Sequence, residues 1–232
     1  MDKQRYFVTG TDTEVGKTFV TAGLLTLVRQ QSRRALGLKP IAAGCEITDE
    51  GLRNEDALAL INASGTQLPY GEINPIALEP AIAPHIALAQ VGEKVSADYL
   101  AKHCLRVVDI EAPDVTLVEG AGGWFVPLSD EDALSDLALL LQFDVILVIG
   151  MKLGCLNHAL LTQAAIEQAG LTIAGWVANT VTEDPMPFIE DNIVTLRQRM
   201  HAPCLGVVPY LGDCDGHGPE SAADYLTLPP LV

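Results

Sequence analysis

The stretch Gly10-Thr11-Asp12-Thr13-Glu14-Val15-Gly16-Lys17-Thr18 constrains this chain more than any other. It follows a short apolar run, Tyr6-Phe7-Val8-Thr9. It precedes residues 18–31, in which Val20, Leu24, Leu25 and Val28 fall on one helical face. A strand, a glycine-bearing turn and a helix in that order aim backbone N–H groups at one point, at the positive end of a helix dipole. Such a turn binds phosphate. Lys17 adds a point charge, and the Thr18 hydroxyl can ligate Mg²⁺. A glycine turn that merely opens a helix is the alternative, and the strand before and helix after argue against it.

The stretch resembles a P-loop with one departure. Five residues separate Gly10 from Gly16, one more than the usual pattern, so that Thr11 takes the place of the first glycine. The rest of the chain repeats the strand-then-helix rhythm. Further strands are expected at 35–38, 114–118, 144–149, 172–178 and 205–208. Helices are expected at 55–63, 96–110 (capped by Ser96 or Asp98), 157–169 (closed by Gly170) and 186–200. Pro69, Pro75, Pro80 and Pro84 mark 69–84 as a long irregular loop. Strands separated by helices imply right-handed crossovers. The predicted fold class is therefore α/β: a P-loop NTPase-type, mostly parallel β-sheet with helices on both faces. It forms a single domain over 1–232, with an irregular tail from about 212 covering one sheet edge. Hydrophobic residues make up 49% of the 232 and aromatics 5%, so Leu, Val, Ile and Ala must fill the core.

In an open parallel sheet the C-terminal strand ends share one edge, where ligands bind. Here that edge gathers 10–18, Lys39-Pro40, 119–123, 150–154, Asn179 and Pro209. Glu119 ends the apolar run Val115-Thr116-Leu117-Val118, as a Walker-B carboxylate does, and could hold Mg²⁺ directly or through water. Gly120, Gly122 and Gly123 let backbone approach a ligand. Lys39 could reach a γ-phosphate, or could be a surface lysine at a strand end. Asp56 could be a second Mg²⁺ carboxylate, or a capping residue.

The formal net charge of −16 argues against nucleic-acid and membrane-surface partners. Five cysteines with no C-x-x-C pair fit neither a disulfide framework nor a zinc ribbon. His85, His103, His158 and His201 lack metal-ligand spacing. With no apolar run long enough for a span or a signal peptide, a cytoplasmic protein is expected.

Taken together, the ordered segments resemble the dethiobiotin synthetase family. They are FVTGTDTEVGKT (7–18), GLKP (37–40), GLRNEDALAL (51–60), LVEGAGGWFVPLSD (117–130), KLGCLNHALLT (152–162), GWVAN (175–179) and GVVPYL (206–211). The resemblance implies 7,8-diaminononanoate, CO₂ and ATP as substrates, with Mg²⁺, and dethiobiotin, ADP and phosphate as products. One amine becomes a carbamate, the carbamate takes the γ-phosphoryl group, and the second amine closes the ureido ring. It implies Lys39 as the catalytic lysine, with Lys17 and Thr13 stabilising the moving phosphoryl group. Thr18, Asp56 and Glu119 would hold Mg²⁺. ATP would lie along Glu14, Val15, Gly16, Lys17, Thr18 and Phe19 and against Gly120, Ala121 and Gly122. Asn179 would read the adenine edge, with Thr180, Val208, Pro209 and Tyr210 beside it. Gly154, Cys155 and Asn157 would capture the substrate carboxylate across a homodimer interface.

One departure stands out: Ala43 occupies a position where the resemblance leads one to expect a serine. One lost neutral hydrogen bond would weaken substrate binding about 2- to 13-fold. That leaves room for a paralogue with another substrate or weak activity. A related P-loop regulatory ATPase would carry a lysine where this chain has Asp12. An amidotransferase-type ligase would need an attached glutaminase domain.

Overall fold

Short apolar runs that must bury both faces, alternating with helices that bury one, condense into a parallel sheet with a helical layer on each side. A computed structural model describes residues 3–212 and 218–230. The elements run β1 (Gln4–Gly10), α1 (Lys17–Gln30), β2 (Ala35–Leu38), β3 (Ile41–Ala43), β4 (Glu46–Thr48), β5 (Gly51–Arg53), α2 (Glu55–Ser64), α3 (Tyr70–Ile73), β6 (Ile76–Leu78), α4 (Pro84–Val91) and α5 (Ala97–Glu111). They continue β7 (Val115–Gly123), α6 (Leu134–Leu141), β8 (Asp144–Gly150), α7 (Cys155–Gln168), β9 (Ile173–Asn179), α8 (Ile189–Arg199) and β10 (Cys204–Val208), and end in a 3₁₀ segment, Pro219–Tyr225. Among the described residues the main sheet has six strands in the order β10-β9-β8-β1-β7-β2. All five of its pairings are parallel.

Strand β8 explains the two layers. Val145, Leu147 and Ile149 face the side covered by α5, α6, α7 and α8. Ile146 and Val148 face the side covered by α1, α2 and the 3₁₀ segment. Local signals fix the helix ends: Ser96 Oγ accepts the Tyr99 N–H at the start of α5, and Gly170, at φ 82°, closes α7. The chain leaves β1 for β2 on one side, while β8 lies on the other. The crevice beyond the C-terminal end of β1 is therefore the topological switch point.

The segment 69–84 corrects the expectation of an irregular loop. Pro69 precedes the turn of α3, Pro75 precedes β6, and Pro84 opens α4. Proline fixes φ near the helical value and lacks only an N–H that a first turn leaves free, so here it starts elements rather than abolishing them. β6 pairs with β3 in a small second sheet, and β4 with β5 in an exposed hairpin. The short β3, β4, β5 and α6 were not expected from the sequence. The tail does cover the β10 edge: Gly206 bridges Leu226, and Thr227 N–H donates to Leu205 O at 2.8 Å. Part of that cover is 3₁₀ rather than irregular. Residues 213–217, Cys214 among them, lie outside the described residues, as do 1–2 and 231–232.

The tail docks where α1 carries Gly23: a Cβ there would come within 2.7 Å of Ala222 Cβ and 2.9 Å of Leu226 Cδ1. Gly23→Ala should gain about 1 kcal/mol of helix propensity and lose about 1–3 kcal/mol to overpacking. The expected result is a lower urea midpoint at unchanged m. A raised midpoint would show that the tail yields freely.

Candidate active site

Strand register brings the chemistry together. Leu38 of β2 lies opposite Val118 of β7, so Lys39 leaves its strand beside Glu119. Val8 of β1 also pairs with Glu119, which puts the loop after β1 against the same carboxylate. Lys39 Nζ donates to Glu119 Oε1 at 2.6 Å and to Gly120 O at 3.2 Å, and lies 3.0 Å from Asp56 Oδ2. Thr18 Oγ1 donates to the same Glu119 oxygen at 2.8 Å. Three acceptors match the three protons of the ammonium. Burial alone would pull Lys39 down, but the two carboxylates hold it above the ordinary lysine range. Burial likewise opposes charge on Asp56, yet the Lys39 ammonium holds its carboxyl below the usual range. Asp56 is thus more than a helix cap; that role falls to Asn54, whose side chain accepts the Ala57 N–H at 3.3 Å.

The phosphate loop is built on special backbone. Gly16 has φ 79° and opens α1, and Glu14 takes the left-handed region at φ 57°. A Cβ on Gly10 would meet Val15 Cγ2 at 2.6 Å, so the tight exit from β1 requires glycine even where Thr11 replaces the usual first one. Val15, buried under Gly150, anchors the loop. Lys17 is buried and reaches only the Asp12 carbonyl, at 3.3 Å. Burial, and then the Lys39 charge, pull it down to about 8. Asp12 pairs with Lys152 at 2.8 Å, which holds its carboxyl below the usual range.

A cavity of about 790 Å³ is lined by Thr13, Glu14, Gly16, Lys17, Thr18 and Phe19, by Lys39 and Asp56, and by Ala121 and Gly122. Its far wall is apolar: Ala42, Ala43, Ala81, Ile82, Ala83, Pro84 and Val126. Nothing in the sequence pattern points to this wall: 81–84 approaches through the unexpected β6 and α4, and Val126 from the loop after β7. A second cavity of about 760 Å³ includes Thr180, Pro209 and Tyr210, with Glu183, Ile189 and Glu190 opposite. Val208 and Asn179 sit behind it: Val208 O accepts the Thr180 N–H, and Asn179 Nδ2 donates to Val15 O at 2.9 Å.

Gly154, Cys155 and Asn157 line neither cavity. Cys155 is buried, and its N–H donates to Lys152 O at 2.9 Å. Gly154 and Asn157 are exposed at the start of α7.

A metal fits one detail of the donor set. Glu119 Oε2 is buried with no hydrogen-bond partner, and such an acceptor is costly unless something meets it. Among the described residues no group of three His, Cys, Asp or Glu gathers as a metal cage. Mg²⁺ needs only one or two carboxylates beside substrate phosphates.

Comparison with known proteins agrees with this geometry. A family described as an AAA domain matches residues 4–217. The ATP-dependent dethiobiotin synthetase BioD of Cellvibrio japonicus is 52% identical over 100% of this chain and 99% of its own. BioD 1 of Escherichia coli O157:H7 is 48% identical over 97% of this chain and 98% of its own. The chain belongs to the dethiobiotin synthetase family. Its fold extends beyond that family. The cell division protein MinD of Aquifex aeolicus superposes with a TM-score of 0.54 at 15% identity, covering 89% of this chain and 81% of its own. At that identity the likeness speaks for the fold alone. As a family member, the chain also has no described helix long and apolar enough to cross a membrane.

Lys17 sets a pH dependence. Its folded value of about 8 lies below the ordinary 10.5, so its charge costs stability below pH 8 and that cost fades as pH rises. Phosphate affinity should have the opposite sign if the ammonium is the ligand. The dissociation constant of metal-free ATP should be flat below pH 8 and should weaken by up to about tenfold per unit above it. Calorimetry with Lys17→Ala should show weaker binding with that slope gone. An unchanged slope would remove Lys17 from phosphate binding.

Proposed function

We propose that the chain is an ATP-dependent dethiobiotin synthetase, converting 7,8-diaminononanoate, CO₂ and ATP to dethiobiotin, ADP and phosphate. The observation that carries the reading is the composition of the cavity beside the phosphate loop. One part of the lining offers phosphate ligands and a buried lysine between two carboxylates, and another part is apolar, from Ala42, Ala43 and 81–84 to Val126, with Asn54 and Glu55 beside it, which suits an aliphatic diamine.

The chemistry asks for alignment and charge neutralisation rather than for a nucleophilic side chain. Backbone N–H groups of the loop and the free protons of Lys17 bind the phosphates. Thr13 and Lys17 face the γ-phosphoryl group. Thr18, Asp56 and Glu119 would hold Mg²⁺, which when bound spreads the phosphate charge. Lys39 gives up one of its three acceptors to meet the carbamate oxygen as that oxygen forms its bond to phosphorus. The second amine then attacks the carbamoyl carbon, and phosphate leaves. Ala43 presents a methyl group to this cavity, so a substrate contact there rests on shape or on water. Asn179 Oδ1 is the atom left to accept from an adenine amine, since Nδ2 is committed to the loop. A regulatory-switch reading finds no support, because position 12 carries a carboxylate paired with Lys152.

Lys39 should act on chemistry more than on nucleotide binding. Removing one preorganised charge from a dry site costs on the order of 10²–10³ in rate. Lys39→Gln should lower kcat by about that factor and leave the ATP dissociation constant nearly unchanged. The check is steady-state turnover of the diamine, bicarbonate and ATP beside direct nucleotide binding. A near-normal kcat with a much higher KM for ATP would make Lys39 a phosphate ligand only; no turnover by the unaltered protein would sink the assignment.

The working unit we propose is a homodimer. The start of α7 is flanked by Leu153 at 91% and Leu161 at 62% exposure, so its Gly154 and Asn157 face outward, toward a second copy. Helix N-termini favour carboxylates. Mixing Lys39→Ala with Asn157→Ala protein should then recover up to about a quarter of wild-type activity, because half of randomly formed dimers are hybrids, each with one complete site. A strictly monomeric protein at assay concentration would contradict this.

A further inference from the structure

Lys39 and Asp56 meet at 3.0 Å although they come from different elements, and the chain between them includes the exposed β4–β5 hairpin. The hairpin cannot set their separation. Lys39 also sits before Pro40. Proline offers no N–H and biases the preceding residue toward extended backbone, so β2 ends there and the backbone groups of Lys39 need partners elsewhere.

Those partners come from the segment after α3. Lys39 N–H donates to Ile73 O at 2.9 Å. Asn74 Nδ2 donates to Lys39 O at 2.7 Å and to Ile76 O at 3.1 Å. Asn74 Oδ1 accepts from Tyr70 Oη at 2.8 Å, and Tyr70 Oη accepts the Asn54 N–H at 2.8 Å. Asn54 caps α2, and Asp56 lies in the first turn of that helix. Asn74 is 2% and Asn54 4% exposed. Both protons of the Asn74 amide are used, and the Tyr70 hydroxyl donates once and accepts once, so the chain of bonds has one direction and no slack. The Arg53 guanidinium lies over the Tyr70 ring at 4.3 Å and holds it in place.

We propose that Tyr70 and Asn74 are positioning residues that fix the backbone of Lys39 against the α2 N-terminus, and so set the Lys39–Asp56 pair for phosphoryl transfer. Neither lines the cavity. The inference rests on the role of Lys39 given above.

The test is a double-mutant cycle. Tyr70→Phe keeps the ring and removes the relay oxygen. It should lower kcat on the order of 10-fold, the size seen when a supporting partner of a reacting group is lost. The ATP dissociation constant should change by less than about twofold. In a Lys39→Gln background the same change should have little further effect on kcat, because the relay acts through Lys39. Asn74→Ala, which removes the donor to Lys39 O itself, should behave likewise, and melting curves for each variant report whether it folds. Additive losses in the two backgrounds, or a kcat unchanged by Tyr70→Phe, would overturn the proposal. Amide exchange at Lys39, which Tyr70→Phe should accelerate, gives a reading without turnover: an unchanged rate would overturn the relay even if the assigned reaction proved wrong.

Discussion

The site depends on one buried ammonium. Lys39 is 3% exposed and would be expensive to keep charged without partners. It is stable because β7 brings Glu119 and Gly120, α2 brings Asp56, and no proton is left over. Lys17, in the same cavity, is the opposite case. Its one acceptor is a carbonyl at 3.3 Å, and burial with a neighbouring positive charge pulls it down to about 8. The two lysines therefore differ in readiness. Lys17 keeps free protons, whereas every proton of Lys39 is engaged, so in the proposed mechanism Lys39 exchanges a carboxylate for the reacting group. That exchange lets an interaction grow in the transition state rather than in the ground state.

The sheet makes this arrangement inexpensive. Parallel register sets Lys39, Glu119 and the loop after β1 side by side without any long connection between them. The strands behind the site are fully buried Val, Leu and Ile, and such packing is stiff, so the charged edge stands on a rigid base. The strain sits in the loop itself, at Glu14 and Gly16, where backbone N–H groups must converge.

The six main strands and five long helices were legible in the sequence because each carries its own period and stop signals. Glu119 was legible as a carboxylate ending an apolar run, and Lys17 and Thr18 from the loop. Lys39 and Asp56 were ambiguous locally. Strand register sets Lys39 beside Glu119, and Asn54 takes the capping position the sequence also offers Asp56. In 69–84 the proline density points to an irregular loop, whereas Pro69, Pro75 and Pro84 each sit at the start of an element. The same expectation hides the apolar cavity wall at 81–84 and the Tyr70–Asn74 relay. Their contacts to Lys39 and Asn54 are tertiary and leave no periodic trace.

An acidic chain that binds ATP needs a physical reason. The net charge is −16. At physiological salt, exposed charges more than about 8 Å apart are largely screened. The cavity answers instead to what lies within it: Lys17, Lys39 and the N-terminus of α1 against Asp56 and Glu119. Both carboxylates are already engaged with Lys39, and Asp12 of the loop is paired with Lys152. In the proposed binding mode the phosphates meet the unspent protons of Lys17 and the loop amides, while the acidic exterior disfavours extended polyanions. Global sign and local sign can differ because screening and burial act on different length scales.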